Sequence, residues 1–479
     1  MRIAHLASEV APFSKTGGLA DVVGALPPAL AELGHEVTVV VPAHRTTLGE
    51  PVPGRPRGEV RALGFRAGVS ELPHRGVRVA FIDCPALFVR PALYSLADQD
   101  YPDNPVRFAF FARAALAAIA KLGGVEVVHA HDWQAALAPL LLRHDGKARF
   151  AMPAARTVLT IHNLAYQGAF APWALEACAL PRRLFTMDLL EFYGAVNFLK
   201  GGLVSADAVT TVSPTYAREI LSPQFGCGLD GVLTARGDAV CGILNGLDLQ
   251  EWDPARDAHL ERPFDADGAA EGKRSAREAL VRELGLAAGP RPLLGMVSRL
   301  AEQKGADLVA ATLDEIVAKG FDIVVLGSGE RRYEEALRAG QAAHPGRIAA
   351  VIRFDERLAH RIYAASDLFL MPSRYEPCGL GQMIAMRYGA LPVVTRTGGL
   401  ADTVTDADAG DGTGFVLPEL TPAALLAALT RARKLLSSAR RLQAIRRNAM
   451  ARDFSWGASA RAYVALYERL LASPARPVE

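Results

Sequence analysis

Short runs rich in Val, Ile and Leu alternate with longer stretches of helical periodicity along most of this 479-residue chain. Near-continuous apolar strands separated by helices are typical of parallel sheets that helices cover on both faces. The alternation stops in a polar stretch with many Pro and Gly residues, 246–290, and then restarts. The pattern therefore predicts an α/β protein with two halves, 1–245 and 291–455, joined by a connector.

Two helices are predicted near the end of the chain, at Thr421–Leu436 and Trp456–Leu471. Both segments have the apolar period of an amphipathic helix. A long terminal helix that follows an α/β half often packs on the neighbouring domain. We therefore expect residues 456–479 to cross back to the N-terminal half.

The composition disfavours several functional classes. Half of the residues are hydrophobic and 22% are charged, as is ordinary for a globular protein with a sizeable core. A formal net charge of +2 gives no reason to expect nucleic acid or a membrane as the main partner. No apolar run reaches the roughly 18 residues of a membrane span, and the first residues favour a strand over a signal peptide. We expect a cytoplasmic protein.

Metal and dinucleotide sites are also disfavoured. The five cysteines are scattered and never show C-x-x-C spacing, so neither a disulfide framework nor a zinc site is expected. His129, His131 and Asp132 lie in one short segment, but no further ligands follow at metal-binding spacing. We predict no metal. The glycine-rich segment GSGERR at Gly327 lacks the third glycine of the dinucleotide fingerprint, and no Walker lysine motif occurs, which weakens nicotinamide and P-loop interpretations.

The hexapeptide TGGLAD occurs once in each half, at Thr16–Asp21 after Lys15 and at Thr397–Asp402 after Arg396. Each copy follows a predicted strand and opens a predicted helix. Paired glycines let backbone N–H groups approach a ligand, and the start of a helix attracts anions. Ligands of open α/β sheets bind at the carboxyl ends of the strands. We interpret the two turns as walls of one cleft that holds a phosphorylated ligand; plain strand–helix turns are the alternative.

A second group of charged residues lies in the C-terminal half. Arg299 and Lys304 are five residues apart at a strand end, where they could neutralise a pyrophosphate leaving group. Glu376 precedes a predicted helix start at Cys378–Gly381, and a carboxylate there can accept hydrogen bonds from sugar hydroxyls or oppose developing positive charge. The alternatives are a surface pair for the cations and a helix-dipole partner for the glutamate.

Histidines end two strands of the first half, in HAHDW at His129–Trp133 and TIHNLAYQG at Thr160–Gly168. A histidine beside Val and Ile is usually a core residue. His162 and Asn163, however, leave a strand into a turn. We therefore consider a role in binding sugar hydroxyls at least as strong a candidate.

Taken together and in order, the motifs resemble the bacterial branch of the glycogen and starch synthase family across almost the whole chain: KTGGLADVVGALPPAL, HAHDW, TIHNLAYQG, ILNGLD, SRLAEQKG, PSRYEPCGL and TGGLADTV. The resemblance implies the GT-B fold, in which two Rossmann-like domains face each other across a deep cleft. It implies a retaining transferase that moves glucose from ADP-glucose to the non-reducing end of an α-1,4-glucan. It also implies that no metal or other cofactor is needed.

The resemblance assigns roles where residues match the motifs. It implies catalytic roles for His162, Arg299, Lys304 and Glu376, with the two cations stabilising the departing ADP. It implies substrate contacts for a larger set: Lys15, Gly17, Gly18, Asp132, Asn163, Asn245, Cys378, Gly379, Leu380, Thr397 and Gly398. Glu9 and Tyr94 are candidate contacts of the acceptor glucan.

Three alternatives stay open at this stage. A related enzyme could use UDP-glucose or another acceptor. A sugar-nucleotide oxidoreductase or epimerase would need the dinucleotide fingerprint at a strand–helix turn, and neither TGGLAD nor GSGERR fits it. A catalytically silent glucan-binding protein would retain the fold but lose its cations, whereas Lys15, Arg299 and Lys304 are all present. The sequence does not predict the oligomeric state.

Overall fold

The computed structural model describes residues 1–96 and 99–474. Internal contacts divide the chain into two units, Met1–Gly246 together with the residues from Trp456 onward, and Leu247–Ser455. Each unit contains a mainly parallel sheet with helices, so the predicted α/β class is confirmed. Among the described helices, none combines the length and apolarity needed to span a bilayer.

The strands are short. They are β1 Arg2–Leu6, β2 Glu36–Pro42, β3 Arg55–Ala62, β4 Phe65–His74, β5 Val77–Asp83, β6 Ser95–Leu96, β7 Gln99–Asp100, β8 Val127–His131, β9 Arg156–Ile161, β10 Ala169–Phe170, β11 Glu191–Phe192, β12 Ala195–Asn197, β13 Ala208–Thr211, β14 Val240–Gly242, β15 Leu293–Val297, β16 Asp322–Leu326, β17 Ile348–Val351, β18 Leu368–Met371, β19 Leu391–Thr395 and β20 Phe415–Leu417.

The helices vary from one turn to five turns. They are α1 Gly18–Glu32, α2 Arg45–Leu48, α3 Pro85–Phe88, α4 Asn104–Lys121, α5 Asp132–Ala135, α6 Leu137–His144, α7 Gly146–Ala151, α8 Trp173–Ala177, α9 Phe198–Ser205, α10 Pro214–Glu219, α11 Asp230–Ala235, α12 Ala269–Leu284, α13 Ala306–Ala311, α14 Leu313–Ala318, α15 Arg331–Ala343, α16 Glu356–Ala365, α17 Gly381–Arg387, α18 Gly398–Thr403, α19 Pro422–Leu436, α20 Ala439–Met450 and α21 Trp456–Ala472. Short 3-10 turns lie at Arg182–Leu184, Gly237–Ala239 and Glu302–Lys304.

The first unit is built on a nine-stranded sheet of order β14-β13-β9-β8-β1-β2-β5-β4-β3. The strands from β14 to β5 in this order are parallel, and β4 and β3 add an antiparallel edge. Because β9, β8 and β1 are parallel neighbours, their carboxyl ends lie side by side at one edge of the sheet. This edge carries the candidate site residues of the first unit.

The last helix, α21, belongs to the first unit although it follows the second in sequence. It packs against α1 and buries Tyr463 and Tyr467 in the core of the first unit. The Ser459 hydroxyl donates a hydrogen bond of 2.5 Å to the carbonyl of Leu244. Burial of these two aromatic rings helps to hold the helix there, because large side chains remove much apolar surface from water.

The second unit has a six-stranded, fully parallel sheet of order β17-β16-β15-β18-β19-β20. Neighbouring residues such as Leu293 and Leu294 belong to different core clusters. Since side chains alternate across a strand, both faces of the sheet are covered, which explains the continuous apolar runs. Residues 246–290, for which the sequence predicts a connector, contribute Phe264 and Leu280 to one of these cores.

Candidate active site

Three candidate residues of the first unit leave the sheet at its carboxyl edge. Glu9 follows β1, Asp132 follows β8 and His162 follows β9. Since these strands are adjacent and parallel, the topology itself brings the three residues to one edge. The sequence predicted all three as substrate-binding or catalytic, and the structure gathers them in one unit.

The carboxylate of Glu9 holds the first TGGLAD turn. It accepts hydrogen bonds from the backbone N–H of Thr16 at 2.5 Å and from the Thr16 hydroxyl at 2.9 Å. The Tyr94 hydroxyl donates to the same carboxylate at 2.8 Å and also lies 2.6 Å from the Ser8 hydroxyl. Burial raises the pKa of Glu9, and the hydrogen bonds of Thr16 and Tyr94 oppose that rise. Glu9 and Tyr94, predicted as acceptor contacts, therefore support this turn.

The first TGGLAD turn is open. Lys15, Gly17 and Gly18 are exposed, and a Cβ added at either glycine would meet no other atom within 4 Å. Lys15 forms an ion pair of 2.8 Å with Asp21 in the first turn of α1. Packing does not require glycine here, whereas close approach of a ligand to the backbone would. The 15-residue helix α1 starts at the same place, and the start of a helix favours anions.

Asp132 fixes the backbone at His162. Its carboxylate accepts a hydrogen bond of 2.7 Å from the His162 N–H, and its own φ of 55° lies in the left-handed region. Burial raises the pKa of Asp132 to about 7, against the hydrogen bonds from the backbone N–H groups of His162 and Asn163. A non-glycine residue in this conformation is uncommon and often marks a functional site.

The His162 ring is partly exposed and makes a hydrogen bond of 2.9 Å from Nε2 to His131 Nδ1. Burial lowers the pKa of His162 to about 3, so the ring is neutral at physiological pH. A neutral imidazole has one N–H donor and one bare acceptor nitrogen. The ring can therefore take part in hydrogen bonding to a sugar without bringing a positive charge.

Two asparagines complete the predicted set in the first unit. Asn163 accepts a hydrogen bond of 3.1 Å from the Ala165 N–H and so caps the turn after β9. Asn245 lies beyond β14 and is buried, and its Oδ1 has no hydrogen-bond partner within the described residues. This amide oxygen can accept a hydrogen bond from a ligand or from water.

In the second unit, Lys304 and Glu376 form an ion pair. Lys304 Nζ lies 2.5 Å from Glu376 Oε2, which also accepts a hydrogen bond of 3.2 Å from the Ser373 hydroxyl. Glu376 is only 4% exposed, so its charge is compensated by these two partners. Arg299 follows the adjacent strand β15 and is exposed, with a hydrogen bond of 3.3 Å to Gln303. The structure thus brings the predicted carboxylate and one predicted cation into contact.

The second TGGLAD turn is packed, unlike the first. Gly398 has a φ of 42°, and a Cβ there would clash with the carbonyl oxygen of Glu376. The Gly399 N–H donates to the carbonyls of Glu376 at 3.1 Å and of Pro377 at 3.2 Å. Thr397 occupies the N-cap position of α18 and is buried. The same six residues therefore provide an open backbone in one unit. In the other unit they support the loop at 376–380, the Glu376 loop.

The remaining predicted residues lie in the Glu376 loop. Cys378 is buried, Gly379 has a φ of 72°, and Leu380 caps α17. The amide of Gln382 donates 3.0 Å hydrogen bonds to the carbonyls of Cys378 and Gly379. Gln382 fixes the loop, a role that the sequence analysis missed because hydrogen bonds between a side chain and a loop leave no periodic signal.

Three buried histidines lie close together near the candidate residues of the first unit, a cluster that the sequence did not reveal. His5, His129 and His131 have ring nitrogens within 4.8 Å of one another. Both nitrogens of His129 are hydrogen-bonded, to Tyr467 and Thr160, and both nitrogens of His131 are bonded to other histidines. A cation would have to displace these bonds.

Comparison with known proteins agrees with this architecture. The family model described as starch synthase catalytic domain matches residues 2–235, and that described as glycosyl transferases group 1 matches residues 291–434. A glycogen synthase of Anaeromyxobacter dehalogenans is 50% identical, over 98% of this chain and all of its own length. A glycogen synthase of Koribacter versatilis is 46% identical, over 98% of each chain.

Solved structures give the same result. The catalytic domain of starch synthase IV from Arabidopsis thaliana, bound to ADP and acarbose, is 34% identical, with a TM-score of 0.90 over 98% of this chain and 99% of its own. A sucrose-phosphate synthase from Thermosynechococcus elongatus, 20% identical with a TM-score of 0.62 over 99% of this chain and all of its own, shares the fold. Because identity and coverage are both high, the chain belongs to the glycogen and starch synthase family of glycosyltransferases.

Proposed function

We propose that this chain is a retaining glucosyltransferase that moves glucose from ADP-glucose to the non-reducing end of an α-1,4-glucan in glycogen biosynthesis. The observation that carries the proposal is the pairing of Lys304 with the buried Glu376, at the strand edge from which Arg299 also emerges. A carboxylate suited to a sugar and cations suited to a diphosphate occur together there. The family membership supports the same reaction.

The residues of the second unit would act on the leaving group. As the bond between C1 of glucose and the diphosphate oxygen breaks, negative charge develops on ADP, and Arg299 and Lys304 would stabilise it. Glu376 would oppose the positive charge that develops on the sugar ring. Its short contact with Lys304 also holds that ammonium group in place before the substrate binds.

The residues of the first unit would hold the sugar and the acceptor. The acceptor 4-hydroxyl attacks C1 from the side on which ADP departs, and a phosphate oxygen of ADP takes the hydroxyl proton. The His162 carbonyl would support the oxocarbenium-like glucose. The open turn at Gly17 and Gly18 would offer its backbone N–H groups to an oxygen of the ligand. No protein nucleophile is required in this scheme.

ADP as the leaving nucleotide is part of the proposal. The solved starch synthase IV structure contains ADP, which supports this choice for a relative of 34% identity. A preference for UDP-glucose stays the alternative. Independence from metals and other cofactors, a cytoplasmic location and the absence of nucleic-acid and membrane partners stay predictions from the sequence.

Transfer of labelled glucose onto glycogen tests the proposal directly. ADP-glucose and UDP-glucose are supplied side by side, each with and without a metal chelator. We expect incorporation from ADP-glucose that the chelator does not reduce. Higher kcat/KM with UDP-glucose than with ADP-glucose would show that UDP-glucose, the alternative donor, is preferred. Binding of glycogen without incorporation from either donor would identify a silent glucan-binding protein.

A further inference from the structure

Three histidines from three parallel strands form a hydrogen-bonded chain that ends at the candidate site. His5 lies in β1, His131 ends β8 and His162 follows β9. His5 Nδ1 is 3.0 Å from His131 Nε2, and His131 Nδ1 is 2.9 Å from His162 Nε2. His5 and His131 are completely buried, whereas His162 is partly exposed. The three hydrogen-bonded histidines therefore lead from the core of the sheet to its carboxyl edge.

All three rings are neutral. Burial lowers the pKa of His5 to about 3 and that of His162 to about 3, and it holds the pKa of His131 well below its usual value. A neutral imidazole carries a single N–H, so each bond between two of these rings uses one donor and one acceptor nitrogen. Once the protonated nitrogen of one ring is assigned, the protonated nitrogens of the other two rings follow.

His5, at the buried end of the three linked histidines, determines which nitrogen donates in each hydrogen bond. His5 Nε2 is buried and has no hydrogen-bond partner within the described residues. A buried N–H without an acceptor is rarer in proteins than an acceptor without a donor. The proton of His5 therefore lies on Nδ1 and points to His131. His131 then carries its proton on Nδ1 and donates to His162 Nε2, which must be the bare nitrogen.

We infer that His5 and His131 are positioning residues that hold His162 as the Nδ1–H tautomer, ready to donate a hydrogen bond to a hydroxyl oxygen of the transferred sugar. His162 Nδ1 makes no hydrogen bond within the described residues. It is a different ring nitrogen from Nε2, which is bonded to His131. The use of this donor in sugar binding rests on the proposed function. The tautomer itself does not.

The tautomer can be read in the intact protein by ¹⁵N NMR of histidine-labelled samples, with the His162 signals assigned by their loss in His162→Gln. We expect a protonated Nδ1 and a bare Nε2 in the wild type. A protonated Nε2 at His162 would overturn the inference, whatever the enzyme activity. Confirmation of the Nδ1–H form in a protein that transfers no glucose would instead reject the proposed function alone.

Three variants separate positioning from simple structural support. His131→Leu removes the donor to His162, so the His162 signals should show a mixture of tautomers. His131→Asn retains an amide N–H near the position of Nδ1 and should restore the Nδ1–H form. The matched control is His129→Leu, because His129 is equally buried in the same strand but bonds to Tyr467 and Thr160. It should lower thermal stability and leave the tautomer unchanged.

Kinetics with ADP-glucose at fixed glycogen then test the role of the donor. We expect kcat/KM to fall roughly tenfold in His131→Leu, the effect of one weakened hydrogen bond. His131→Asn should recover most of that loss, and His129→Leu should lose little. Equal kcat/KM in His131→Leu and His129→Leu, together with a mixed tautomer in the former, would show that the sugar does not use this N–H.

Discussion

Lys304 Nζ lies 2.5 Å from Glu376 Oε2, so the cation that would stabilise a leaving diphosphate is held by the carboxylate that would face the sugar. The two residues are far apart in sequence and come from the ends of neighbouring strands, β15 and β18. Arg299 shares the edge, but its side chain bonds to Gln303 and not to Glu376 within the described residues. The two predicted cations are therefore unequal in their structural roles.

This inequality predicts different outcomes for Arg299→Ala and Lys304→Ala. Both should lower kcat by about 10²–10³-fold, because each removes a charge that stabilises the leaving group. Lys304→Ala should also lower the free energy of unfolding by about 1–3 kcal/mol, since it removes the cation that pairs with a buried carboxylate. Arg299→Ala should leave stability within about 0.5 kcal/mol of the wild type. Steady-state kinetics and urea unfolding measure the two effects.

A suitable control for the cations is Arg331→Ala. Arg331 is 90% exposed and pairs with Glu335 on the surface of α15. Its loss should change neither kcat nor stability appreciably. Near-normal turnover of both Arg299→Ala and Lys304→Ala would remove the leaving-group role from the mechanism.

The two TGGLAD turns predict opposite phenotypes for the same glycine-to-alanine change. Gly398→Ala should destabilise the protein by about 2–3 kcal/mol, because its Cβ meets the Glu376 carbonyl and its φ is positive. Gly17→Ala should change stability by less than about 0.5 kcal/mol, because its Cβ would project into open space. It should still lower kcat/KM by roughly tenfold if a ligand approaches that backbone.

Thermal unfolding and kinetics of the two variants decide this contrast. If Gly17→Ala keeps full kcat/KM, the first turn is a plain strand–helix connection, the alternative that the sequence left open. If Gly398→Ala is as stable as the wild type, the second turn does not support the Glu376 loop.

Local sequence patterns predicted the elements well where burial is continuous. The strand expected at the first residues became β1, and the helix that the first TGGLAD copy was expected to open became α1, Gly18–Glu32. The α/β class, the family and the enzyme class are confirmed. The antiparallel strand β3 was missed, because its residues are mostly exposed and lack an apolar run.

Long-range contacts in the site could not be predicted in the same way. His5 and His131 are 126 residues apart, and they meet only because β1 and β8 are neighbours in the sheet. The two TGGLAD copies have the same local signal, yet one is exposed and the other is packed on the Glu376 loop. Their difference depends on what the rest of the fold places against them.

The buried neutral histidines predict a loss of stability in mild acid. The pKa of His5 is about 3 in the folded protein and 6.5 as its ordinary value. Between these pH values the unfolded chain binds a proton that the folded chain does not, so the free energy of unfolding falls as pH decreases from about 6.5 towards 3. Urea unfolding at about pH 7.5 and about pH 5 should show the fall.

A His5→Gln variant isolates this contribution. Its amide does not titrate, so the stability advantage of the wild type over the variant should shrink as pH decreases through this window. A constant difference between the two proteins would mean that His5 does not remain neutral when folded.

Asp132 predicts the opposite pH dependence. Its pKa is about 7 in the folded protein against an ordinary value of 3.8. Between these values the folded chain holds a proton that the unfolded chain has lost, so this group's contribution to stability falls as pH rises from about 4 to about 7. Asp132→Asn is the reference, because asparagine tolerates the positive φ and its amide oxygen can still accept from the His162 N–H.

The measured quantity is the free energy of unfolding of the wild type minus that of Asp132→Asn, across this range. The contributions of the histidines cancel in the difference, because both proteins carry them. We expect the difference to decrease as pH rises. A difference that stays constant across this range would mean that the N–H groups of His162 and Asn163 stabilise the ionised carboxylate at least as much as burial destabilises it. Asp132 would then carry a negative charge at the site.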